Sequence, residues 1–220
     1  MIVADDVTND CNDLKQLAPL AKQAQEILDV EEIDAVADTG YHDGNNIKEC
    51  IDNDITPYVP RAKKSHNHKK GLYTKEDFEY DKEEDCYYCP AKQQMPFRFT
   101  YKKKNRLLRV YENSPSCNGC PLRSKCMDKK KGYRRITRWE HEHLLEDMAE
   151  RLNENPDMMV KRRCLVEHPF GSLKRWMDDG YFLLCGLKKV RTEFSLMTFG
   201  YNLRRAINIV GVEKLIATAQ

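Results

Sequence analysis

The sequence has no run of eighteen consecutive apolar residues, so no segment could form an ordinary membrane-spanning helix. The opening residues, MIVADD, are charged by the fifth position and lack the apolar stretch of a secretory signal. There is also no internal repeat. These absences predict a cytoplasmic protein that has no membrane partner.

The number of cysteines is odd: nine are present, so they cannot all form disulfides within the chain. Disulfides are also rare in intracellular proteins. The cysteines are therefore expected to bind metal or to remain free thiols. The chain of 220 residues is long enough for one large domain or for a domain with a sizeable insertion.

Basic residues are scarce in the first 60 positions, where 14 acids accompany only 3 Lys and Arg residues. Residues 61–220 hold 34 bases and 21 acids, although the whole chain has a net charge of only +2. This asymmetry indicates an acidic part and a part that faces a polyanion. An ordinary solvated surface is the alternative explanation.

Residues 1–60 alternate between strand and helix patterns, which predicts an α/β fold. The predicted order is a strand at 2–4, a helix at 13–28, a strand in EIDAVADTGY, a helix at 45–53 and a strand in ITPYVP. Asn12 is expected to cap the first helix, and Pro19 is expected to kink or reset it.

Residues 61–137 are polar, rich in Lys, Tyr and Cys, and without long periodic segments, so we interpret them as an insertion. Helical patterns return in the last part of the chain, at 139–152, 157–177 and 191–209. The predicted domains are therefore 1–60, 61–137 and 138–220.

Two Cys-x-x-Cys units lie in this insertion, within CYYCP and CNGCPLRSKC. Such pairs are typical of tetrahedral zinc sites in segments that have little core of their own. The predicted ligands are Cys89, Cys117, Cys120 and Cys126, and we prefer Cys89 to Cys86 because both Cys89 and Cys120 precede a proline. Reduced structural thiols are the alternative. Buried packing is expected for the isolated cysteines, Cys11, Cys50, Cys164 and Cys185.

Three basic runs lie in the same insertion: RAKKSHNHKK, KKK at 102–104 and KKKGYRRITR. Lys and Arg clusters with interleaved Tyr suit a DNA backbone, because each neutralised phosphate releases counterions. Solvated loops are the alternative. The predicted DNA-binding residues are Arg61, Lys63, Lys64, Lys69, Lys70, Lys129, Lys130, Arg134 and Arg135.

Two carboxylates stand out by their context. Asp38 follows a short apolar run in VADTGYHDG, so it is either a turn residue or an acid placed at the end of a strand. Glu167 lies in KRRCLVEHPFGSLKRWM, where Arg163 and Lys174 can share its helix face. Pro169 predicts a kink at this point. A partly buried Glu167 needs a partner or a metal, whereas an ordinary surface Arg–Glu pair is the alternative.

Six segments together resemble one family: IVADDVTND, VADTGY, CP…CNGCPLRSKC, RITRWEHEH, RRCLVEHPFGSLKRW and YNLRRAINIVG. They are similar to bacterial insertion-sequence transposases of the DDE class, in the group with a cysteine-bearing insertion before the last catalytic acid. The resemblance covers essentially the whole chain. It implies an α/β fold made of a partial ribonuclease-H-like core, a Cys-rich zinc-binding insertion and C-terminal helices.

The resemblance also implies roles for single residues. Asp38 matches the second catalytic aspartate of the family, and Glu167 matches the final glutamate. Arg163 and Lys174 match the Tyr-x2-Arg-x3-Glu-x6-Lys signature and would face phosphates near the site. The Tyr position of that signature holds Val160, which departs from the family pattern.

The implied chemistry is two-metal-ion phosphoryl transfer, in which carboxylates hold two Mg²⁺ (or Mn²⁺) ions about 3.5–4 Å apart. Water first nicks the transposon end, and the freed 3′-hydroxyl then attacks target DNA. Oxygen ligands suit Mg²⁺, which assigns this site to the acids and any Zn²⁺ to the cysteines. The implied partners are transposon-end and target DNA, in association with the nucleoid.

The first catalytic aspartate of the family has no counterpart here, because the strand that bears it would precede residue 1. We therefore expect the C-terminal part of a longer transposase, inactive or unstable alone unless its N-terminal part or another transposase chain completes it. The alternatives are a non-catalytic, zinc-containing DNA-binding remnant and a zinc-stabilised protein-interaction module.

Overall fold

The computed structural model describes residues 1–61, 66–128, 132–176 and 181–218, with only the backbone described at residues 66, 167, 168 and 174–176. The chain divides into two compact units. Met1–Pro60 and Asp147–Gln220 form the first unit, and Arg61–Glu146 forms the second. The segment interpreted as an insertion lies inside the second unit.

The described residues form a mixed α/β structure, which is the predicted fold class. The helices are α1 Leu17–Leu28, α2 Gly44–Ile51, α3 His66–Lys69, α4 Ser114–Cys117, α5 Arg123–Cys126, α6 Glu142–Glu154, α7 Asp157–Arg162, α8 His168–Trp176, α9 Leu187–Val210 and α10 Val212–Thr218. The strands are β1 Ile33–Val36, β2 Ile55–Tyr58, β3 Glu79–Asp81, β4 Cys86–Tyr88, β5 Gln94–Lys103, β6 Arg106–Glu112 and β7 Arg135–Trp139.

The first unit contains a parallel pair of strands, β1 and β2, with α2 between them in the chain. Val36 lies opposite Tyr58, and the Ala37 N–H extends the ladder by donating to the Tyr58 carbonyl at 3.2 Å. A parallel pair of this kind is stable only when its faces are covered by apolar side chains. Helices α1 and α2 supply the buried residues Leu17, Ala18, Ala21, Ile47 and Cys50.

Helix α1 begins four residues later than the sequence predicted. Its start at Leu17 places Pro19 in the first turn, where a missing N–H is tolerated, so Pro19 does not interrupt the helix. Asn12 is not the cap, because its side chain accepts the Leu14 N–H at 3.2 Å. The buried Asn46 side chain of α2 instead satisfies the Ala18 N–H, one of the unpaired amides of the first turn, at 3.0 Å.

The predicted strand at residues 2–4 is wrong, because this segment pairs with no strand in the described part of the chain. A side chain of α9 binds its backbone instead: the Ile2 N–H donates to Asn202 Oδ1 at 2.7 Å, and Asn202 Nδ2 donates to the Ile2 carbonyl at 2.6 Å. Asp6 adds an ion pair to Arg191 of the same helix, at 2.7 Å. The N-terminal segment is therefore anchored along α9.

The second unit is built on a five-stranded antiparallel sheet in the order β3-β4-β5-β6-β7. Its two longest strands, β5 and β6, are joined by Lys104 and Asn105, which both have positive φ, of 49° and 60°. Two such residues form the tight hairpin turn that matches the twist of paired strands. The expectation that this segment lacks long periodic elements is wrong, since Phe97, Phe99 and Tyr101 alternate along β5.

Aromatic rings and one arginine form the core side of this sheet. Tyr80, Tyr87 and Tyr111 pack against one another with ring centroids 5.0, 5.1 and 6.1 Å apart. The Arg138 guanidinium lies 3.8 Å from the Tyr80 ring centroid and pairs with Glu146 through both terminal nitrogens. Burial raises the pKa of Tyr87 to about 12. A desolvated cation over a ring is stabilising, so these contacts hold the sheet and Arg138 together.

The helix predicted at 157–177 is divided in the structure. Helices α7 and α8 are separated by a π-helical turn, Arg163–Glu167, and Pro169 is the second residue of α8. Proline has no N–H to donate, and its ring crowds the preceding turn, so a wider turn before it relieves both problems. Residue 177 lies outside the described residues.

No helix in the described ranges combines the length and the apolar character that crossing a membrane requires.

Glu142, which is buried, and Lys75, which is partly buried, form an ion pair in the second unit, with Nζ and Oε1 2.6 Å apart. The other carboxylate oxygen accepts the Trp139 N–H at 3.1 Å. Burial alone would raise the pKa of Glu142, but the Lys75 ammonium and the Trp139 amide outweigh it and hold that pKa below its ordinary value. Because the pKa of this carboxyl is lower in the folded state than in the unfolded state, the ionised carboxylate stabilises the fold at pH values above the unfolded-state pKa. This stabilisation is lost as the pH falls through the folded-state pKa.

Glu142→Gln is expected to lower the free energy of unfolding by about 2 kcal/mol near pH 7, because it leaves the Lys75 ammonium partly buried without a counter-charge. The difference from the unsubstituted chain should shrink as the pH falls toward about 4, where the carboxylate loses its advantage. Urea unfolding followed by circular dichroism across this pH range measures both. Glu150→Gln, at an exposed position of α6, is the matched control, and equal losses in the two variants would contradict the assignment.

Candidate functional site

Asp38 lies directly after the last ladder bond of β1, where the chain leaves the parallel strands. Its backbone is extended, with φ −85° and ψ 179°, and it caps the 3-10 turn Thr39–Tyr41. The side chain is exposed, and Oδ1 accepts the Gly40 N–H at 2.7 Å. Among the described residues no second donor bonds to this carboxylate. Asp38 is therefore a turn cap and a strand-end acid at once.

The arrangement needs glycine at position 40. A Cβ there would lie 2.9 Å from Asp38 Oδ1, closer than side-chain carbons normally approach another atom. Any larger residue at this position would displace the carboxylate and break its bond to the backbone amide. The Thr-Gly-Tyr turn thus fixes the direction in which the Asp38 carboxylate points.

Tyr41 lies in the same turn, and its surroundings shift the pKa of its phenol. Burial raises the pKa of the Tyr41 phenol, and the nearby carboxylates of Asp13 and Asp38 raise it further. The end of β1 is therefore a region of negative potential, which attracts cations. Sequence reasoning did not single out Asp13 or Tyr41, because their proximity arises from the packing of separate segments.

Glu167 is the last residue of the π-helical turn, and Arg163 is its first. Arg163 is exposed, whereas the side chains of Glu167 and Lys174 lie outside the described part of the structure. The α-helical spacing used to place Arg163 and Glu167 on one face does not apply within a π-helical turn. Single π-helical turns recur at functional sites. The roles of these three residues remain predictions.

Helix α7 lies beside β1, the strand that ends next to Asp38. The π-helical turn that ends at Glu167 directly follows α7 in the chain. Within the residues that the structure describes, no group of three or more His, Cys, Asp or Glu side chains is arranged to hold a metal ion. A site shared by Asp38 and Glu167 remains a prediction.

The four predicted zinc ligands line one small cavity in the second unit. Cys89, Cys117, Cys120 and Cys126 all border a space of about 30 Å³. Cys86 is instead buried within β4 and does not border this space. The cavity therefore groups Cys89, and not Cys86, with the other three cysteines.

Two arginines also border this cavity. Arg123 donates to the Cys117 carbonyl at 3.0 Å, and Arg134 donates to the Cys126 carbonyl at 3.3 Å. Arg134 Nε is buried without a hydrogen-bond partner in the described residues. Burial raises the pKa of the Cys126 thiol, the Arg134 charge lowers it, and the neighbouring cysteines raise it. The net result is a pKa of Cys126 above the ordinary value of a thiol, which the Arg134 charge offsets only in part.

All nine cysteines are free thiols. Cys50 is buried, as expected, but Cys11, Cys164 and Cys185 are exposed, so the expectation of buried packing is wrong for these three. Cys11 lies before α1, Cys185 lies between α8 and α9, and Cys164 lies in the π-helical turn.

The predicted DNA-binding side chains differ in their surroundings. Arg61, Lys70 and Arg135 each pair with a carboxylate, at 3.1, 3.2 and 2.5 Å respectively. Arg134 borders the cysteine cavity, whereas Lys69 is exposed. Contacts between these residues and phosphates remain predictions. Four of the predicted residues, Lys63, Lys64, Lys129 and Lys130, lie outside the described ranges.

Sequence reasoning missed an aromatic surface on the five-stranded sheet. Directly paired residues of antiparallel strands share a face, which puts Phe99, Tyr101, Arg106 and Arg135 on one side, called here the open face. Val110 and Trp139 belong to the same side but are buried. Phe99 is 43% exposed and Tyr101 is 37% exposed. The alternation of aromatic and polar residues along β5 was the signal that could have revealed this surface.

A family model described as "Transposase DDE domain" matches residues 88–207, which is more than half of the chain. The matched range contains Glu167 and the four cysteines that line the cavity, and Asp38 precedes it. No curated protein matches the chain, and no solved structure does. The range covered by the family model is sufficient to assign the chain: it belongs to the transposase DDE domain family.

Proposed function

We propose that the protein is the catalytic part of an insertion-sequence transposase, which cuts the ends of its element and joins them to target DNA. One observation carries the proposal. An exposed acid, Asp38, stands at the end of a parallel strand, and the family-matched range supplies Glu167 after a helix that lies beside that strand. In this proposal β1, β2 and the helices of the first unit belong to a ribonuclease-H-like core.

Asp38 and Glu167 would together hold Mg²⁺ or Mn²⁺. The Asp38 side chain fits this role, because one oxygen is fixed by the Gly40 amide and no donor among the described residues occupies the other. Hard cations such as Mg²⁺ prefer carboxylate oxygens. When bound, the metal activates the attacking oxygen of a phosphoryl transfer and stabilises the leaving one.

The remaining steps of the mechanism fall to side chains of this chain. The Gly40 amide holds the Asp38 carboxylate in one direction before DNA binds, so little reorganisation is required on binding. Arg163 opens the turn that ends at Glu167, and Lys174 follows on α8. Their positive charges would bind phosphate oxygens and orient the strand to be cut.

The second unit would bind zinc through Cys89, Cys117, Cys120 and Cys126. Their shared cavity, the two bordering arginines and the unpartnered Arg134 Nε support this site. In such a site each cysteine sulfur would lie at the ordinary zinc distance of about 2.3 Å from the ion. A zinc ion there would join the turns that contain Cys89 and Cys120 to the sheet.

A non-catalytic DNA-binding remnant is the second candidate function, and a zinc-stabilised protein-interaction module is the third. Exposed Lys69 and the three lysines at the tip of the β5–β6 hairpin, residues 102–104, favour DNA binding without requiring Asp38. The three candidates differ in what acid substitutions do. Only the catalytic function requires the carboxylates of Asp38 and Glu167, and the interaction module requires no salt-dependent DNA binding.

Asp38→Asn and Glu167→Gln are each expected to reduce metal-dependent cleavage of transposon-end DNA by at least about a hundredfold, because they remove ligand charge and leave the side-chain size unchanged. Binding of Mn²⁺, followed by paramagnetic broadening, should weaken in both variants. Asp34→Asn is the matched control, since Asp34 is an exposed acid on β1, the strand that leads to Asp38.

The Mn²⁺ measurement does not depend on turnover, so it decides the assignment even where cleavage is slow. Unchanged Mn²⁺ affinity in Asp38→Asn, or the same loss in Asp34→Asn, contradicts the proposed site. If all three variants still bind DNA and no cleavage is observed, the result supports the non-catalytic DNA-binding remnant instead.

Gly40→Ala tests how Asp38 is positioned. The added Cβ should displace the carboxylate, weaken Mn²⁺ binding by about tenfold or more and speed hydrogen exchange at the amide of residue 40. The overall fold should persist, because the displaced atom is the end of a flexible side chain. Gly171→Ala is the control: its Cβ meets nothing within 4 Å, and alanine is favoured in a helix. Normal Mn²⁺ binding by Gly40→Ala would show that the turn does not orient Asp38.

The purified chain is expected to contain about one zinc ion, measured by elemental analysis after dialysis. Cys126→Ser and Cys89→Ser should lose that ion, and a chelator should lower the thermal midpoint of the chain, because metal binding and folding of such segments are coupled. Cys86→Ala should keep the ion, since Cys86 does not border the cavity. A chain without zinc, or loss of zinc only in Cys86→Ala, is the outcome against this site.

A further inference from the structure

We propose that the open face of the five-stranded sheet binds single-stranded DNA by stacking bases on Phe99 and Tyr101. The inference rests on the proposed function, because it names the form of DNA that the transposase would bind. The surface lies in the second unit and includes neither of the predicted catalytic acids. Its test is therefore independent of the catalytic site.

The strand register sets the geometry of this surface. Tyr101, Leu108 and Trp139 form one row across β5, β6 and β7, and Phe99, Val110 and Thr137 form the next row. The rings of Phe99 and Tyr101 lie 6.4 Å apart between centroids, and both are substantially exposed. Two such rings on adjacent rows of a rigid sheet can receive two successive bases, because every base has a π-face that stacks on an aromatic ring.

Arginines are held beside these rings. Arg135 lies 5.8 Å from the centroid of Phe99, and Arg106 lies 5.3 Å from the centroid of Trp139. Arg135 also pairs with Glu112, so what the two arginines bring to this face is positive charge close to the rings. The open face therefore offers stacking surfaces and cations side by side, which is the combination that binds single strands.

Charge on the two hairpin strands fits a polyanion. Residues 94–112 contain six Lys and Arg residues and one acid, Glu112, which pairs with Arg135. Three successive lysines, residues 102–104, lie at the tip of the hairpin. Lys104 has a φ of 49°, a backbone conformation that residues other than glycine adopt at an energetic cost. This positive, aromatic strand pair complements a polyanion such as DNA and disfavours a basic protein face.

The ring positions favour single strands over duplexes. In a duplex the base faces are already stacked on their neighbours, so rings on a sheet surface cannot stack on them. A duplex would contact the hairpin through lysine–phosphate pairs alone, with an affinity that falls steeply with salt. Stacking on Phe99 and Tyr101 would remain at higher salt, which separates the two forms of binding.

The experiment measures fluorescence anisotropy of a labelled oligodeoxythymidylate of about 12 nucleotides, and of a labelled duplex of the same length, with the full chain. Phe99→Ala and Tyr101→Ala should each weaken single-strand binding by about tenfold, and the double variant by about a hundredfold. Duplex affinity should change by less than about twofold, because duplex contacts depend on charge.

Matched variants control for folding and for loss of apolar surface. Phe99→Tyr and Tyr101→Phe keep an aromatic ring and should bind as the unsubstituted chain does. Leu107→Ala removes a side chain that is 41% exposed and is paired with Lys102 on the opposite face, so it should leave binding unchanged. Thermal unfolding of each variant verifies that the sheet is intact.

Three results would overturn the proposal. They are single-strand binding that the double alanine variant retains, equal losses for single strand and duplex, and the same loss in Leu107→Ala. The proposed catalytic function fails separately, since Asp38→Asn should bind the single strand normally. Cleavage that depends on Asp38, without any single-strand binding by the chain, would leave the catalytic function standing and remove this inference.

Discussion

A single backbone hydrogen bond sets the position of the candidate catalytic acid. The Ala37 N–H donates to the Tyr58 carbonyl, and this is the last bond of the parallel ladder before the chain turns at Asp38. Arg151 steadies the same end of β2, since it donates to the Pro57 carbonyl at 3.2 Å and lies over the Tyr58 ring. A shift of this strand end would move the Asp38 carboxylate with it. The apolar layer of α1 and α2 therefore matters for chemistry as well as for stability.

The second unit reaches its stability by different means. Its sheet has few aliphatic residues on the core side, and tyrosine rings take their place around Asp85, which accepts the hydroxyls of Tyr80 and Tyr111 at 2.8 and 2.7 Å. Burial and the bond to Asp85 raise the pKa of Tyr111, so it stays a hydrogen-bond donor at neutral pH. Ring contacts of this kind are directional and fix strand positions, and the buried rings of Tyr87 and Tyr111 also contribute apolar area.

Local patterns predicted the part of the structure that they determine. Residues close in the chain determine the elements around Asp38, which are β1, the Thr-Gly-Tyr turn and α2. The sequence pattern therefore placed Asp38 at a strand end. The segment at residues 2–4 was predicted wrongly because its partner, Asn202, is supplied from the other end of the chain. Pro169 indicated a break but could not specify a π-helical turn. The five-stranded sheet was missed because lysine-rich composition was weighed above the alternation of Phe97, Phe99 and Tyr101.

The uneven charge of the chain now has a physical interpretation in terms of two separate tasks. Burial and the acidic side chains near the end of β1 raise the pKa of Tyr41, and these acids create a potential that repels phosphates and attracts cations. In the proposed function such a site would meet DNA only when bound metal had compensated its charge. The hairpin of β5 and β6 has the opposite sign and would need no metal to attract DNA, although salt would weaken that attraction. Metal concentration should therefore govern cutting, and ionic strength should govern binding, in one chain whose net charge is only +2.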